Sequence, residues 1–500
     1  MDFSADSDAP QVNSLVDHLF EQVRREHDKE IRASAKWKQH IRCLVLNLFA
    51  VRHVHTGRYI AISQNRNEYS KKSRYLANCR SHSITAHLIL YLTENLGYIS
   101  IHPGWQDKKT GKSYLTRVRA KKSLVSMFDQ YEIDIHMLKR SGGIESIRLK
   151  DEQKNLIDYQ DTLSTIVNRT SVETLNRRLS QTFIGMHLPD CAYSEMNEKL
   201  VEEDRTRWND DDRIQPIDLS RKALYRVFND NDFEVGGRFY GGWWQSVPGG
   251  LRKHIYICPP YSTYPKYTVE IDYSSMQTCI AYACCNIQPP NDAYVVEGYD
   301  QSALKRMRPF LKAGMLRVLN AKSDHEAIAS LENAFAEKLM PTELPTAESV
   351  VRCLEDTHRV IYKQFFYKAK GKSLMWVESK IAEHVMLSMC RQRAAVLPIH
   401  DSFIVMKSYR DYLGRAMDQA FKAVTGFSCD MTYDQTEYEY EMEQEGGTFT
   451  RAEIDASFEY LDRDYELHAG FWKQFYSWLH GQDWYLASTG IDDGSGDEEF

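Results

Sequence analysis

Two stretches of β-strand sequence, each leading to an aspartate, constrain the fold of this chain more than any other feature. Residues 267–271 (YTVEI) alternate as a strand does and lead to Asp272, after which the spacing of apolar residues becomes helical. Residues 394–406 (AAVLPIHDSFIVM) have the pattern of a β-hairpin with His400 and Asp401 near its turn. We therefore expect a mixed α/β (α+β) fold in which both carboxylates lie at strand ends and can face one cleft.

Carboxylates on two different strands suit two-metal catalysis, in which ions about 3.5–4 Å apart activate a hydroxyl and hold a triphosphate. Between the two strands, Arg308 and Lys312 lie four residues apart on one face of a predicted helix. Cations at this spacing are suited to gripping β- and γ-phosphates. A two-metal nuclease is the weaker interpretation, because it has no evident need for these two cations.

The composition is that of a globular protein of several domains. The 500 residues are 42% hydrophobic, 12% aromatic and 27% charged, which argues against a disordered chain. The longest apolar segments fall short of the ~18 residues that a bilayer span needs, and the first thirty residues have no apolar core of a signal peptide. We expect a cytoplasmic protein without a membrane partner, whose ten cysteines, none in a CxxC pair, are reduced and mostly buried.

The positive charge is concentrated in one segment. Residues 51–125 carry 14 Lys and Arg against 3 Asp and Glu, a net charge of +11, which leaves −18 for the rest of the chain. Such clustering is typical of proteins that bind polyanions.

The same segment has a recognisable order of predicted helices and strands. A helical run follows Trp37, residues 70–79 and 83–96 are predicted as short helices, and a basic hairpin spans residues 98–118. This order resembles a winged helix-turn-helix domain, whose second helix would enter a groove of DNA. The cations of the hairpin that would then meet phosphates are Lys108, Lys109, Lys112, Arg117 and Arg119. The alternative is a small α/β packing module with a solvated basic hairpin.

Three motifs resemble those of the bacterial DNA polymerase I clan (family A), which includes the phage-type single-subunit RNA polymerases. DYSSMQ (272–277) is similar to motif A, RPFLKAGMLRVLNA (308–321) to the finger helix, and PIHDSF (398–403) to motif C, in the same order. The resemblance implies a right-hand polymerase core with palm and fingers over residues 216–450. The order of a winged-helix module followed by such a core is also similar to that of uncharacterised bacterial or mobile-element proteins.

The resemblance implies template-directed nucleotidyl transfer. The template or primer-template would be DNA or RNA, the substrates nucleoside triphosphates, and the cofactors two Mg²⁺ ions, with Mn²⁺ as the alternative metal. Asp272, Asp401 and the carbonyl of Tyr273 would bind the metals, and His400 would lie beside the primer terminus. Lys312 would neutralise the triphosphate, Arg308 would contact the γ-phosphate, and the remaining nucleotide contacts would come from Gln277, Leu316 and Asn320.

Three departures from the motifs of the clan leave open whether the enzyme would use deoxyribonucleotides or ribonucleotides. Gln277 stands where the DNA polymerases have Glu and the RNA polymerases a small residue; Asn320 and Ala321 stand where the finger helix has Tyr-Gly. Ser402 follows the aspartate of motif C, as in the RNA polymerases. A DNA polymerase or primase-polymerase is favoured, with an RNA-synthesising enzyme and a non-catalytic replication initiator or regulator as alternatives.

Two further groups of residues are less specific indicators of function. Arg238, Gln245 and Arg252, with the tandem tryptophans Trp243 and Trp244, could clamp a nucleic-acid strand, although tryptophan pairs also occur in cores. Glu378 and Glu383 lie on a predicted helix, for which a packing helix with a solvated acidic face is favoured. The expected organisation is a charged helical segment (1–35), the winged-helix-like domain (36–125), a helical connector (126–215), the polymerase-like core (216–450), a helical segment (451–486) and a disordered acidic tail (487–500).

Overall fold

The computed structural model describes residues 1–27, 30–77, 79–107, 109–110, 113–140, 144–206, 215–336, 338–433 and 466–489. Residues 490–500 of the expected acidic tail fall outside the described residues. Residues 451–465 of the expected helical segment 451–486 fall outside them as well. In the described part the fold is mixed α/β. None of the described helices is both long and apolar enough to cross a bilayer.

The N-terminal part is built around a small antiparallel sheet. Its elements are β1 (Ala5–Asp6), α1 (Pro10–Glu26), α2 (Ser34–Val54), β2 (Ile60–Ile62), α3 (Arg66–Ser70), α4 (His82–Leu90), β3 (Ile99–His102), β4 (Trp105–Gln106), β5 (Ser113–Tyr114) and β6 (Thr116–Ala120). The strand order is β2–β6–β3, and β4 and β5 form a separate hairpin beyond it. A buried inner face formed by Ile60, Ile99 and Val118 joins the apolar core.

The helix predicted over residues 70–79 is wrong, because α3 ends at Ser70. The chain beyond it is held by Arg80, whose guanidinium donates to the carbonyl oxygens of Glu68, Lys71 and Ala77. A side chain that satisfies three carbonyls replaces the helical hydrogen bonds that those groups would otherwise need.

The segment expected to be a helical connector contributes strands as well as helices. It holds α5 (Lys122–Gln130), β7 (Lys139–Arg140), β8 (Ile147–Lys150), β9 (Leu156–Ile157), α6 (Leu163–Ser180), β10 (Phe183–Met186) and α7 (Asp190–Thr206). β8 pairs in parallel with a strand of the following region, and β10 pairs with another, so this segment completes sheets of the core. The strands are short, and their partners lie far along the chain, which is why local periodicity does not reveal them.

The remaining elements form the larger part of the molecule. They are β11 (Tyr225–Asn229), β12 (Asp232–Tyr240), β13 (Ile255–Cys258), β14 (Lys266–Tyr273), α8 (Met276–Cys284), α9 (Gln301–Asn320), α10 (Asp324–Phe335), α11 (Ala347–Thr357), α12 (Arg359–Phe365), α13 (Gly371–Arg391), β15 (Leu397–Ile399), β16 (Ser402–Met406), α14 (Arg410–Thr425), β17 (Met431–Tyr433), α15 (Ala469–His480) and α16 (Asp483–Thr489).

Two sheets organise this part. The central sheet has the order β10–β13–β14–β16–β15, with β17 also paired to β14, and a second sheet has the order β12–β11–β8–β9. An aromatic cluster of α15, including Phe471 and Phe475, packs on Phe183 of β10 and covers that edge of the central sheet. The central strand β14 is flanked by β16 on one side and by β13 and β17 on the other.

A fully buried arginine ties the second sheet to the helices. The Arg226 guanidinium on β11 donates to Glu383 on α13 at 2.9 Å, to Asn168 on α6 at 2.8 Å, to Ser379 at 3.0 Å and to the carbonyl of Gly237 at 2.9 Å. Glu383 is itself buried. The expectation of a solvated acidic face on this helix is therefore wrong for Glu383, whose charge is matched by a buried cation.

Arg226→Met should destabilise the protein strongly, because it leaves the Glu383 carboxylate buried without its cation, a change that costs about 3–5 kcal/mol. The double variant Arg226→Met/Glu383→Met should regain part of that loss, since neither charge then remains. Urea unfolding gives the free energies. The control is Arg359→Ala, which removes an exposed pair with Asp356 and should cost about 1 kcal/mol or less. Equal losses in Arg226→Met and the control would contradict this account.

Candidate active site

The register of β14 against β16 brings the two predicted catalytic aspartates together. Asp272 is paired with Ser402, and the backbone N–H of Tyr273 donates to the carbonyl oxygen of Asp401 at 3.3 Å. Asp401 immediately precedes Ser402, so Asp272 near the end of β14 and Asp401 just before β16 lie at the same end of the sheet. Tyr273 itself is buried, and its hydroxyl donates to the carbonyl of Met417, which leaves only its backbone available to a ligand.

A tight turn holds Asp401 in place. β15 ends at Ile399 and β16 begins at Ser402, so His400 and Asp401 alone connect them. His400 adopts a φ of +58°, in the left-handed region that non-glycine residues seldom occupy, and its ring contacts that of Tyr240. A strained backbone of this kind is frequent where a side chain has to be aimed at a site.

The hydroxyl of Ser402 is engaged within the protein. It donates to Glu270 on β14 at 2.5 Å, and Glu270 also accepts from Arg252 at 2.9 Å. Arg252, predicted to contact nucleic acid, therefore has its guanidinium directed to a carboxylate and to the carbonyl of Val247.

Glu378 is a residue of this site whose burial the sequence did not reveal. It lies on α13 and is 1% exposed, so the expected solvated acidic face is wrong here too. Its carboxylate accepts two hydrogen bonds of 2.7 Å from Arg238 on β12 and one of 3.2 Å from the side-chain amide of Gln277. Arg238 was predicted to hold nucleic acid, and Gln277 to hold the nucleotide. The stretch MWVESKIAEHVM mixes apolar and polar residues, so it carries no signal that could have indicated this burial.

Electrostatics link Glu378 to Asp401. Burial and the negative charge of Glu378 raise the pKa of Asp401 to about 6, whereas Arg238 and Lys312 act to lower it. Two acids and two cations on four separate elements therefore share one electrostatic environment. Because burial is the largest cause of this shift, a bound cation that stabilises the ionised carboxylate would oppose it.

The predicted finger helix is present as α9. Its buried face, with Met307, Leu311 and Met315, packs towards α10 and α11, and Gly314 approaches Val350 and Leu354 so closely that a Cβ would lie 2.8 Å from each. The opposite face is exposed and carries the predicted nucleotide-binding residues at four-residue intervals, namely Arg308, Lys312, Leu316 and Asn320.

These four residues differ in what they contact. Arg308 forms an ion pair of 2.5 Å with Asp292 and lies over the ring of Tyr294. The amide nitrogen of Asn320 donates to the carbonyl of Leu316, and its side chain lies against Gly371 at the start of α13. Lys312 forms no ion pair with any residue in the described ranges, which leaves its ammonium group available.

The glycine-rich segment before β13 is structural. Trp243 and Trp244 are buried, so neither ring can stack on a base. Gln245, predicted to contact nucleic acid, donates to the carbonyls of Phe239 and Pro398 instead. The structure therefore directs Arg238, Gln245 and Arg252 into the protein and not towards a strand of nucleic acid.

The predicted basic hairpin lies well away from these elements along the chain. Arg117 and Arg119 are exposed on β6, and Lys109 is exposed on the loop between β4 and β5. Lys108 and Lys112 fall outside the described residues.

The side chains of Asp272 and Asp401 could provide part of the ligands that a Mg²⁺ ion needs. Among the described residues, no cluster of three or more His, Cys, Asp or Glu side chains is arranged as a metal site. Mg²⁺ is nevertheless commonly held by one or two carboxylates together with substrate phosphates and water. Asp272 and Asp401 supply two such carboxylates, and Mn²⁺ accepts the same ligands.

Comparison with solved structures finds similarity to the POL domain of Pol1 from M. smegmatis in complex with DNA primer-template and dNTP. The identity is 10%, the TM-score is 0.28, and the match covers 85% of this chain and 66% of that one, just under two thirds of its length. No protein-family model and no curated protein sequence matches the chain. A likeness this weak carries no argument, so the interpretation of the site depends on its residues.

The pKa of Asp401 in the metal-free protein should respond to its neighbours. Glu378→Gln should lower it and Lys312→Met should raise it, because the first removes a negative and the second a positive charge. Lys305→Met, on the same helix, should leave it unchanged. The measurement is a carboxyl-carbon NMR titration of aspartate-labelled protein, with Asp401→Asn identifying the signal.

The same shift has a consequence for stability. The folded-state pKa of about 6 lies above the ordinary value of 3.8, so the folded protein holds the proton more tightly than the unfolded chain does. This contribution to stability is present at low pH and is lost as the pH rises through about 6. Asp401→Asn should remove that part of the pH dependence, and an unchanged pH profile would contradict the assignment.

Proposed function

We propose that this protein is a template-directed nucleotidyltransferase of the polymerase type, joining nucleoside triphosphates to a growing strand. The observation that carries the proposal is the pairing of β14 with β16, in which Asp272 lies opposite Ser402, the residue after Asp401, and Asp401 is within electrostatic reach of Lys312. The resemblance of the three motifs to the DNA polymerase I clan supports the same interpretation, as does the exposed face of α9.

In this proposal Asp272, Asp401 and the backbone carbonyl of Tyr273 hold two Mg²⁺ ions. When bound, the ions would supply positive charge that favours ionisation of a 3′ hydroxyl and stabilises the negative charge that develops during phosphoryl transfer. Lys312 neutralises the triphosphate and can donate a proton to the leaving pyrophosphate. Arg308 contacts the γ-phosphate by exchanging its ion pair with Asp292, a surface pair of small energy.

The same proposal gives the remaining residues positional roles. His400, fixed by the turn, lies beside the primer terminus, and Leu316 and Asn320 line the nucleotide side of α9. Gln277 is oriented by Glu378 and Arg238, so its side chain has a fixed place from which to oppose a ribose 2′ hydroxyl. A bulky, fixed residue favours a DNA polymerase or primase-polymerase over an enzyme that makes RNA. Ser402, donating to Glu270, is not directed to the sugar.

We also propose that residues 36–125 form a winged-helix domain that binds DNA. The element order α2, β2, α3, α4, β3, hairpin, β6, and the sheet order β2–β6–β3, support this. In this arrangement α4 faces a groove, and Arg117 and Arg119 contact phosphates. Such contacts supply affinity without selecting sequence.

Asp272→Asn and Asp401→Asn should each reduce synthesis to background while leaving DNA affinity nearly unchanged, because each removes a metal ligand and no phosphate contact. Primer extension with labelled dNTPs and NTPs, with and without Mg²⁺, measures the first, and fluorescence anisotropy measures the second. Asp356→Asn, at an exposed surface acid, is the matched control. A wild-type protein that binds DNA but extends no primer would favour the replication initiator or regulator, and degradation of the primer would favour the nuclease.

Lys312→Met should lower the rate of incorporation by about a hundredfold, because a cation that faces developing charge acts mainly in the transition state. Template affinity should not change. Lys305→Met removes an exposed charge from the same helix and should have no such effect. Single-turnover kinetics separate the rate from nucleotide binding; equal rates in the two variants would exclude Lys312 from the reaction.

A further inference from the structure

The hairpin formed by β4 and β5 exposes an aromatic pair that the proposed chemistry does not use. Trp105 is paired with Tyr114 across the two strands, and their rings lie 5.8 Å apart at an angle of 26°, a stacked arrangement. Trp105 is 53% and Tyr114 56% exposed. Leu115 beside them is also exposed. Exposed apolar groups of this size on a small hairpin indicate a surface that contacts a partner.

The base of the hairpin is fixed. Gly104 lies so close to the backbone of Tyr114 and Thr116 that a Cβ would be 2.9 Å from each, and its N–H donates to the Thr116 hydroxyl. At the other end, Asp107 accepts from the N–H of Lys109. The aromatic pair is therefore presented by an anchored backbone, which lowers the entropy lost when a ligand binds it.

The surface next to the pair is cationic. Arg117 and Arg119 alternate with the buried Thr116 and Val118 on β6, so both guanidinium groups lie on the outer face of the sheet. Neither forms an ion pair with an acid in the part of the chain that the structure describes, and Arg119 lies over the ring of Tyr59. Aromatic rings beside unpaired arginines match the bases and phosphates of a nucleic-acid strand.

We propose that the Trp105–Tyr114 pair is a platform on which an unpaired base stacks, while Arg117 and Arg119 hold the phosphates beside it. The base has to be unpaired or terminal, because inside a duplex both faces of each base are already covered by its neighbours. The surface would thus select a junction between duplex and single strand. This inference depends on the proposal that the chain binds nucleic acid, and not on its catalysing synthesis.

The test distinguishes the contribution of base stacking to binding affinity from that of phosphate contacts. Full-length protein binds a labelled DNA duplex with a short single-stranded overhang, in which one overhang position at a time is made abasic, without nucleotide or Mg²⁺. In the wild type one abasic position should weaken binding by about fivefold or more, as expected for the loss of a stacked base. Trp105→Leu, which keeps an apolar side chain without the flat ring, should abolish the effect of that position. An RNA overhang of the same sequence distinguishes the two kinds of strand.

Leu115→Ala is the matched control, since it removes exposed apolar surface from the same hairpin but no ring, and the abasic effect should persist. Tyr114→Leu, which removes the other ring of the pair, should also abolish the effect, and circular dichroism checks that each variant is folded. Arg117→Ala should weaken binding equally with and without the base and lower its salt dependence. A wild type indifferent to every abasic position, or a full abasic effect in both ring variants, would overturn the inference. Primer extension is scored separately, so failure of the polymerase proposal is seen on its own.

Discussion

The antiparallel pairing of β14 with β16 is the constraint on which the site depends. Asp272 is opposite Ser402, and the carbonyl of Asp401 accepts from the backbone N–H of Tyr273, so the backbones of the two aspartates cannot separate without breaking the pairing of these strands. A shift of one residue would place a different residue opposite Asp272 and would move Asp401 along β14. The tight turn at His400 and the flanking strands β13 and β17 keep this register.

Bringing acids together inside a protein is costly unless cations compensate them. Glu378 is held by Arg238 in a bidentate pair, and the pair also orients Gln277. The other helical acid, Glu383, is matched by the fully buried Arg226. The helix α13 thus fixes the second sheet through two buried ion pairs, while Asp401 is within electrostatic reach of Lys312 on α9.

The sequence predicted the parts of this arrangement that are local. The strand over residues 267–271 lies within β14, the hairpin over residues 394–406 forms β15 and β16, and the segment after Pro309 is helical. The sequence could not show that Glu378 is buried, because helical spacing does not tell which face meets β12. The inward roles of Arg238, Gln245 and Arg252 also depend on partners distant in the chain, as do the strands β8 and β10. The catalytic roles of Asp272 and Asp401 stay predictions.

Binding of Mn²⁺ as a spectroscopic substitute for Mg²⁺ tests the central claim most directly, since it reports the site itself and not the reaction. Electron paramagnetic resonance of the protein with Mn²⁺ and a non-reacting nucleoside triphosphate should detect tightly bound metal. The nucleotide should strengthen that binding, because its phosphates complete the ligands. Asp272→Asn and Asp401→Asn should each lose most of it, and Asp356→Asn should keep it. Unchanged metal binding in both site variants would contradict the account.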